Sequence, residues 1–256
     1  MTKTKAIKEI YLHYKIFSDN SLNALSLNFD VPDSLEYLKL EKEIAIKRHI
    51  ISSDLTENQI IASNGYLASE LNKIEKYPAI LHPMILIYVI SLFEIFLKHT
   101  IKILLKFDKK TLKNSDRQIP LNTIMSFSNY NDLIDNLLDK IVHDLGYKNI
   151  TDQISFLNKN LKINLSFKKG KGIIENRRFI DRDEIQEIFL VRNLILHNGG
   201  IINKIYSDLS KRNDISQGEK IEVTKDYLNN SFGTIWRGSS AILRQSKIFI
   251  KEYKLE

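Results

Sequence analysis

Glycine and proline are scarce in this chain, which contains 9 glycines and 4 prolines among its 256 residues. Folds built from strands need many tight turns, and tight turns depend on these two residues. Their scarcity therefore favours long helices. Apolar residues make up 43% of the chain and charged residues 27%, a balance typical of a globular protein rather than a disordered one. We predict an all-α fold, a multi-helix bundle.

Apolar residues recur at helical spacing in several stretches of the sequence. Helices are predicted over about residues 5–17, 34–50, 60–74, 83–107, 131–145, 149–161, 183–198 and 224–253. Proline is expected to interrupt the N-terminal part of this series. Pro32 lies in a polar stretch, residues 18–33, that we predict to be a connection, and the pair Tyr77-Pro78 is expected to end a helix because the residue before proline disfavours helical geometry.

Three local features qualify this prediction. Between residues 50 and 60, either Asp54 and Glu57 form a capping box or one long helix runs straight through. Residues 162–167 alternate in polarity well enough to allow one short strand. In the last predicted helix, Ser239 and Ser246 fall on the apolar stripe, so a neighbouring helix can approach closely there.

The most apolar stretch runs from residue 79 to residue 97 and nearly reaches the ~20 residues that a membrane span requires. It contains His82, Pro83 and Glu94, and an acidic side chain at the centre of a bilayer costs roughly 2.5 kcal/mol or more. We therefore interpret the stretch as a buried core helix.

The cysteine count and the termini indicate the compartment. The chain has no cysteine, which excludes disulfides and thiolate metal sites, and its first residues lack the apolar core of a signal peptide. We expect a cytoplasmic protein. None of the six histidines is paired with suitably spaced carboxylates, so neither a metal site nor another cofactor is expected. The net charge of +7 favours partners that carry phosphates.

Three polar side chains interrupt the otherwise apolar run at residues 188–197 of the helix predicted over 183–198. Apolar residues cover nearly every direction of this helix, which predicts burial on most sides, yet it carries Arg192, Asn193 and His197. A buried unpaired charge costs several kcal/mol, so Arg192 needs a partner or an opening. Asn193 and His197 share a face, whereas Arg192 and His197 diverge by about 140° on an ideal helix. Two interpretations remain: a functional site, or a core arginine paired with Glu94.

The run Arg192-Asn193-Leu194-Ile195-Leu196-His197 resembles the motif of the HEPN superfamily, in which four to six residues separate an arginine from a histidine and a polar residue follows the arginine. Its setting adds to the resemblance, because the helix is apolar and ends at Asn198-Gly199-Gly200. Residues 91–97, with the acidic Glu94 among aromatic neighbours, also look like a helix found in many HEPN proteins. The resemblance covers about residues 77–206.

The resemblance implies a domain organisation and a dimer. It suggests a single all-α domain, 1–256, with N-terminal helices in 1–77, a HEPN-like core in 78–206 and a C-terminal helix in 207–256. HEPN domains typically form homodimers in which two motifs face one cleft. We expect such a composite active site here, and the divergence of Arg192 and His197 agrees with it.

The activity implied by the resemblance is that of an endoribonuclease that works without a metal. The 2′-hydroxyl of RNA is an internal nucleophile, so the enzyme needs proton transfer and charge stabilisation. In this scheme His197 is the general acid or base and Arg192 binds the scissile phosphate. Asn193 orients His197 or binds a phosphate oxygen, and Glu94 orients Arg192.

The partners that follow are RNA and, if the protein is a toxin or a phage-defence effector, an antitoxin or another regulator. Five basic residues in and after a glycine-containing loop are candidates for guiding RNA: Lys168, Lys169, Lys171, Arg177 and Arg178. A solvated basic loop is the simpler interpretation of these five. Two alternatives remain for the whole chain, a non-catalytic HEPN-like module that binds RNA or nucleotides or only dimerises, and a purely structural helical protein.

Overall fold

The computed structural model describes residues 1–52, 56–108, 111, 119–167, 172, 179–212 and 216–253. These residues form eight α-helices: α1 Lys3–Ser52, α2 Glu57–Phe107, α3 Leu121–Met125, α4 Tyr130–Gly146, α5 Ile150–Asn160, α6 Arg182–Asn198, α7 Lys204–Leu209 and α8 Lys225–Glu252. The predicted all-α multi-helix class is confirmed.

The first two helices form a long antiparallel hairpin. The rings of His13 and His99 stack with centroids 3.9 Å apart, and those of Phe17 and Phe93 meet edge to face at 6.2 Å. Both pairs are centred on residues 55–56, where α1 gives way to α2. The two helices therefore pair in nearly the same register at both of these contacts.

The prolines do not break these helices, so two predictions were wrong. The predicted connection at residues 18–33 is part of α1, and Tyr77-Pro78 lies inside α2. A proline within a helix costs roughly 3 kcal/mol, but it removes only one backbone hydrogen bond and tertiary packing can offset that loss. In the polar stretch of α1, the small side chains of Ser21 and Ala24 are buried against the core.

The cap between the two helices also differs from the prediction. Thr56 precedes α2, and its backbone N–H donates to Oε1 of Gln59 at 2.9 Å. The capping residue is thus Thr56, two positions after Asp54, which lies outside the described residues. Glu57 is the first residue of α2 and not a capping partner.

Helix α2 lies at the centre of the fold and contacts α1, α4, α6 and α8. Aromatic rings from three helices meet there, since Phe17 lies 5.9 Å from Phe96 and 6.2 Å from Trp236, measured between ring centroids. Ser239 and Ser246 are fully buried on α8, as the stripe of small residues predicts. The hydroxyl groups of Tyr14 and Ser240, 3.0 Å apart, join α1 to α8.

Part of α2 has the composition of a membrane span. Residues Lys76–Phe107 are long and apolar enough to cross a bilayer by length and composition alone, and an 18-residue window within them has a mean hydropathy of 2.2. One side of this segment is buried, with Phe93 and Leu97 inaccessible to solvent, as expected for a core helix. The opposite side exposes Ile80 and Met84, so the segment is not buried all round.

The described connections between the remaining helices include two isolated β-bridges. Within the described ranges, residues 162–167 contribute one isolated parallel bridge, Ser166 to Phe179, and no regular strand, so the optional strand is not formed there. Helix α6 ends where Gly199 and Gly200 adopt positive φ angles of 59° and 82°. The N–H of Gly200 donates to Leu194 O at 3.1 Å, which confirms the predicted glycine stop. Helix α6 contacts α2, α5, α7 and α8 and carries the candidate site.

Candidate functional site

Arg192 lies where α6 crosses α2 and is held from two sides. Its Nη2 donates to Glu94 Oε2 at 3.1 Å, and its Nη1 donates to Asn193 Oδ1 at 2.9 Å. The side chains of Arg192 and Glu94 are each 20% exposed. The guanidinium therefore has a set orientation and still reaches the surface. Its Nε is buried without a hydrogen-bond partner among the described residues.

His197 lies on the solvent-exposed side of α6 together with Asn193 and Leu196. Leu196 is 47% exposed, and the His197 side chain has no hydrogen bond or ion pair within the described part of the chain. The imidazole is thus accessible to water or a ligand. The structure places His197 one turn from Asn193, as the spacing predicts, but it shows no contact between His197 and Arg192.

The expectation that α6 is buried on most sides was wrong for its C-terminal turn. The buried residues are Ile185, Ile188, Phe189, Val191 and Leu194. They line the part of α6 that packs in the bundle, whereas Asn193, Leu196 and His197 are exposed. An apolar composition alone does not reveal this, because Leu196 would be assigned to the core by its residue type.

The predicted RNA-guiding residues fall outside the described residues. This applies to Lys168, Lys169, Lys171, Arg177 and Arg178. Their relation to Arg192 therefore stays a prediction.

Over the described ranges, no group of three or more His, Asp or Glu side chains is arranged to hold a metal ion. What the Arg192 site offers instead is a positioned cation, an exposed imidazole and an amide. These groups can bind an anion by charge-assisted hydrogen bonds and can transfer a proton.

A second polar cluster lies on the other side of α6, and the sequence analysis missed it. Glu187 accepts hydrogen bonds from the hydroxyls of Tyr206 and Ser210, the latter at 2.7 Å. Glu184, three residues earlier on the same side of the helix, accepts a hydrogen bond from Thr234 at 2.6 Å. The spacing of the two glutamates was a usable signal, but their partners from α7 and α8 come from distant parts of the sequence.

Comparison of the chain with protein-family models, with curated proteins and with solved structures found no match.

Proposed function

We propose that this protein is a metal-independent endoribonuclease of the HEPN type, with Arg192 and His197 as its catalytic pair. The observation that carries the proposal is the guanidinium of Arg192, which Glu94 and Asn193 hold at a partly exposed position. A guanidinium held in this way is suited to binding a phosphate through two parallel hydrogen bonds.

The proposed reaction is attack of the RNA 2′-hydroxyl on the adjacent phosphorus atom. The oxygen–phosphorus bond to the 5′-oxygen of the next nucleotide breaks, and a 2′,3′-cyclic phosphate forms. His197 takes the 2′-hydroxyl proton or donates a proton to the leaving oxygen, because imidazole exchanges protons near neutral pH. Arg192 stabilises the negative charge that develops on the phosphate oxygens.

A homodimer accounts for the separation of the two groups. On an ideal helix Arg192 and His197 diverge by about 140° and lie about 7.5 Å apart along the axis. In the proposed dimer, two copies of α6 face one RNA cleft, and each copy supplies groups to a composite site. The exposed Leu196 beside His197 provides apolar surface for such a contact. The proposal extends to a toxin or phage-defence role, which rests on the family resemblance alone.

A non-catalytic role is the second candidate. The ion pair of Arg192 with Glu94 also joins two core helices, which is what a structural arginine does. In that case His197 would be an ordinary surface histidine, and the same face would bind RNA or a nucleotide without cutting it, or would only dimerise.

The test is cleavage of end-labelled RNA in EDTA by the wild type, His197→Ala and the control His143→Ala. His143 is also an exposed histidine, on α4. We expect cleavage by the wild type and the control, 2′,3′-cyclic phosphate ends, and loss of at least about 100-fold in rate with His197→Ala. RNA fully methylated at its 2′-oxygens should resist. Absence of cleavage, or equal cleavage by all three proteins, contradicts the catalytic proposal.

A further inference from the structure

A cavity of about 460 Å³ lies between the N-terminal part of α6 and the N-terminal half of α8. This volume is within the range of small-molecule sites. Its charged lining residues are Glu184 and Glu187 from α6 and Arg237 from α8. On an ideal helix, Glu187 lies about 140° around α6 from Arg192 and about 15 Å along the axis from His197, so this cavity is separate from the proposed ribonuclease site.

Glu187 is positioned by neutral donors. Its two oxygens accept hydrogen bonds from the hydroxyls of Tyr206 and Ser210. Because both donors are uncharged hydroxyl groups, they orient the carboxylate without neutralising its negative charge. In the same wall, the hydroxyl oxygen of Tyr227 has less than 1 Å² of accessible surface and no hydrogen-bond partner among the described residues. A buried hydroxyl without a partner is unusual in folded proteins.

The electrostatic environment of this wall disfavours further negative charge. Burial and the neighbouring Glu187 raise the pKa of the Tyr206 phenol well above its usual range. Burial, followed by the charges of Glu187 and Tyr206, raises the pKa of Tyr227 in the same direction. Burial disfavours charge of either sign, and the charge of Arg212 acts in the opposite direction to Glu187, so only the carboxylate of Glu187 favours a cation at this wall.

The second carboxylate is only loosely neutralised. Oε2 of Glu184 accepts from Thr234 Oγ1 at 2.6 Å, and Nη2 of Arg237 lies 3.4 Å from the same oxygen. The Arg237 side chain is 61% exposed, so water screens this ion pair strongly. The Glu184 side chain is 54% exposed, so this ion pair lies at the rim of the cavity and Glu187 is the more buried acid.

We propose that this cavity binds a small organic cation, with a primary ammonium or guanidinium group held by Glu187 and flanked by Glu184. An ammonium carries three donors, enough to serve the carboxylate oxygens of Glu187 and Glu184 together. Phosphate or carboxylate ligands are disfavoured by repulsion from the two acids. This inference does not depend on the ribonuclease proposal.

Gly233 gives a way to block the cavity without removing any polar group. It lines the cavity, and a Cβ added there would meet only the end of the flexible Arg237 side chain, at 3.4 Å. Glycine inside a helix is unfavourable by about 1 kcal/mol relative to alanine, so a leucine is compatible with α8. Gly233→Leu should therefore fold and fill the cavity.

The experiment is isothermal titration of the full chain with 1,4-diaminobutane and with agmatine, using 1,4-butanediol as the uncharged control ligand. We expect saturable binding of an amine and none of the diol. Glu187→Gln and Gly233→Leu should each weaken amine binding by at least about tenfold. Glu222→Gln removes an exposed acid outside the cavity and should leave the affinity unchanged.

Three results would overturn the inference: no saturable binding of either amine, equal weakening by Glu222→Gln, or unchanged affinity in Gly233→Leu. Equal weakening would indicate attraction to the protein surface in general. Because Glu187 also anchors Tyr206 and Ser210, thermal melting accompanies each titration. If Glu187→Gln is unfolded, the result with Gly233→Leu decides alone.

Discussion

Arg192 on α6 donates to Glu94 on α2 across 3.1 Å, so the guanidinium proposed to bind phosphate also joins two core helices. The two residues are 98 positions apart in the sequence. Because Arg192 has a structural contact as well as a proposed function, measuring the stability of Arg192 variants helps to separate the two roles.

The first prediction concerns this ion pair. Arg192→Ala leaves a carboxylate at Glu94 that is four-fifths buried, and we expect a loss of about 1–3 kcal/mol in the free energy of unfolding. His197→Ala should change stability by less than about 0.5 kcal/mol, because the imidazole is exposed and without a partner in the described structure. Urea denaturation of both variants measures this. A loss above about 4 kcal/mol for Arg192→Ala would favour the structural interpretation.

The second prediction concerns pH. Burial lowers the pKa of His13 against an opposing effect of Glu9. Burial, then the charges of His13 and Lys102, lowers the pKa of His99, while Asp139 opposes the shift. Between these lowered values and the ordinary value of 6.5, the folded protein binds fewer protons than the unfolded chain.

The contribution of these two histidines to the free energy of unfolding should therefore be fully present above about pH 6.5 and should decline as the pH falls below that value. Urea unfolding at about pH 7.5 and about pH 5.5 measures the decline. The double variant His13→Asn, His99→Asn should show a smaller decline than the wild type. A control variant, His143→Asn, changes an exposed histidine on α4 and should retain the wild-type decline. An equal decline in the free energy of unfolding in all three proteins would show that the stacked pair of His13 and His99 does not cause the decline.

A third prediction concerns the glycine that ends α6. Gly199 has a φ of 59° with open space around its Cα, so Gly199→Ala should lose about 1 kcal/mol from backbone strain alone. Gly65 offers a matched control, since it lies within α2, also in open space, without a positive φ. Gly65→Ala should gain roughly 0.5–1 kcal/mol. Thermal melting of both variants measures the two changes in stability. Stability changes of the same sign in both variants would contradict this explanation.

The fourth prediction concerns the attachment of the C-terminal helix. The Tyr253 hydroxyl donates to the buried Asp108 at 2.6 Å, just beyond the end of α2. Tyr253→Phe should lose about 1–3 kcal/mol, because hydrogen bonds to charged groups are the stronger ones. Tyr77→Phe removes the hydroxyl of a tyrosine that is 49% exposed and should be neutral within about 0.5 kcal/mol. Comparable losses in chemical denaturation would show that the contact with Asp108 adds no stability.

Local signals predicted α6 and α8 well, but they did not predict the short α7 between them. The bounds of α6 and α8 agree with the sequence within one residue. The N-terminus of each of these helices is capped by a residue close in sequence. Asp181 accepts from the N–H of Glu184 at the start of α6, and Thr224 accepts from the N–H of Tyr227 at the start of α8. Such caps can be identified from a few residues because the donor and the acceptor are neighbours.

The sequence by itself determined the all-α class, the position of α6 and its glycine stop. Tertiary structure decided the rest. Two proline-containing stretches are continuous helices although proline disfavours a helix interior, and Leu196 is exposed although its residue type predicts burial. The pairing of Arg192 with Glu94 and the cavity beside Glu187 join segments far apart in the chain. Side-chain spacing can nominate such residues, but only the packing of helices determines which of them meet.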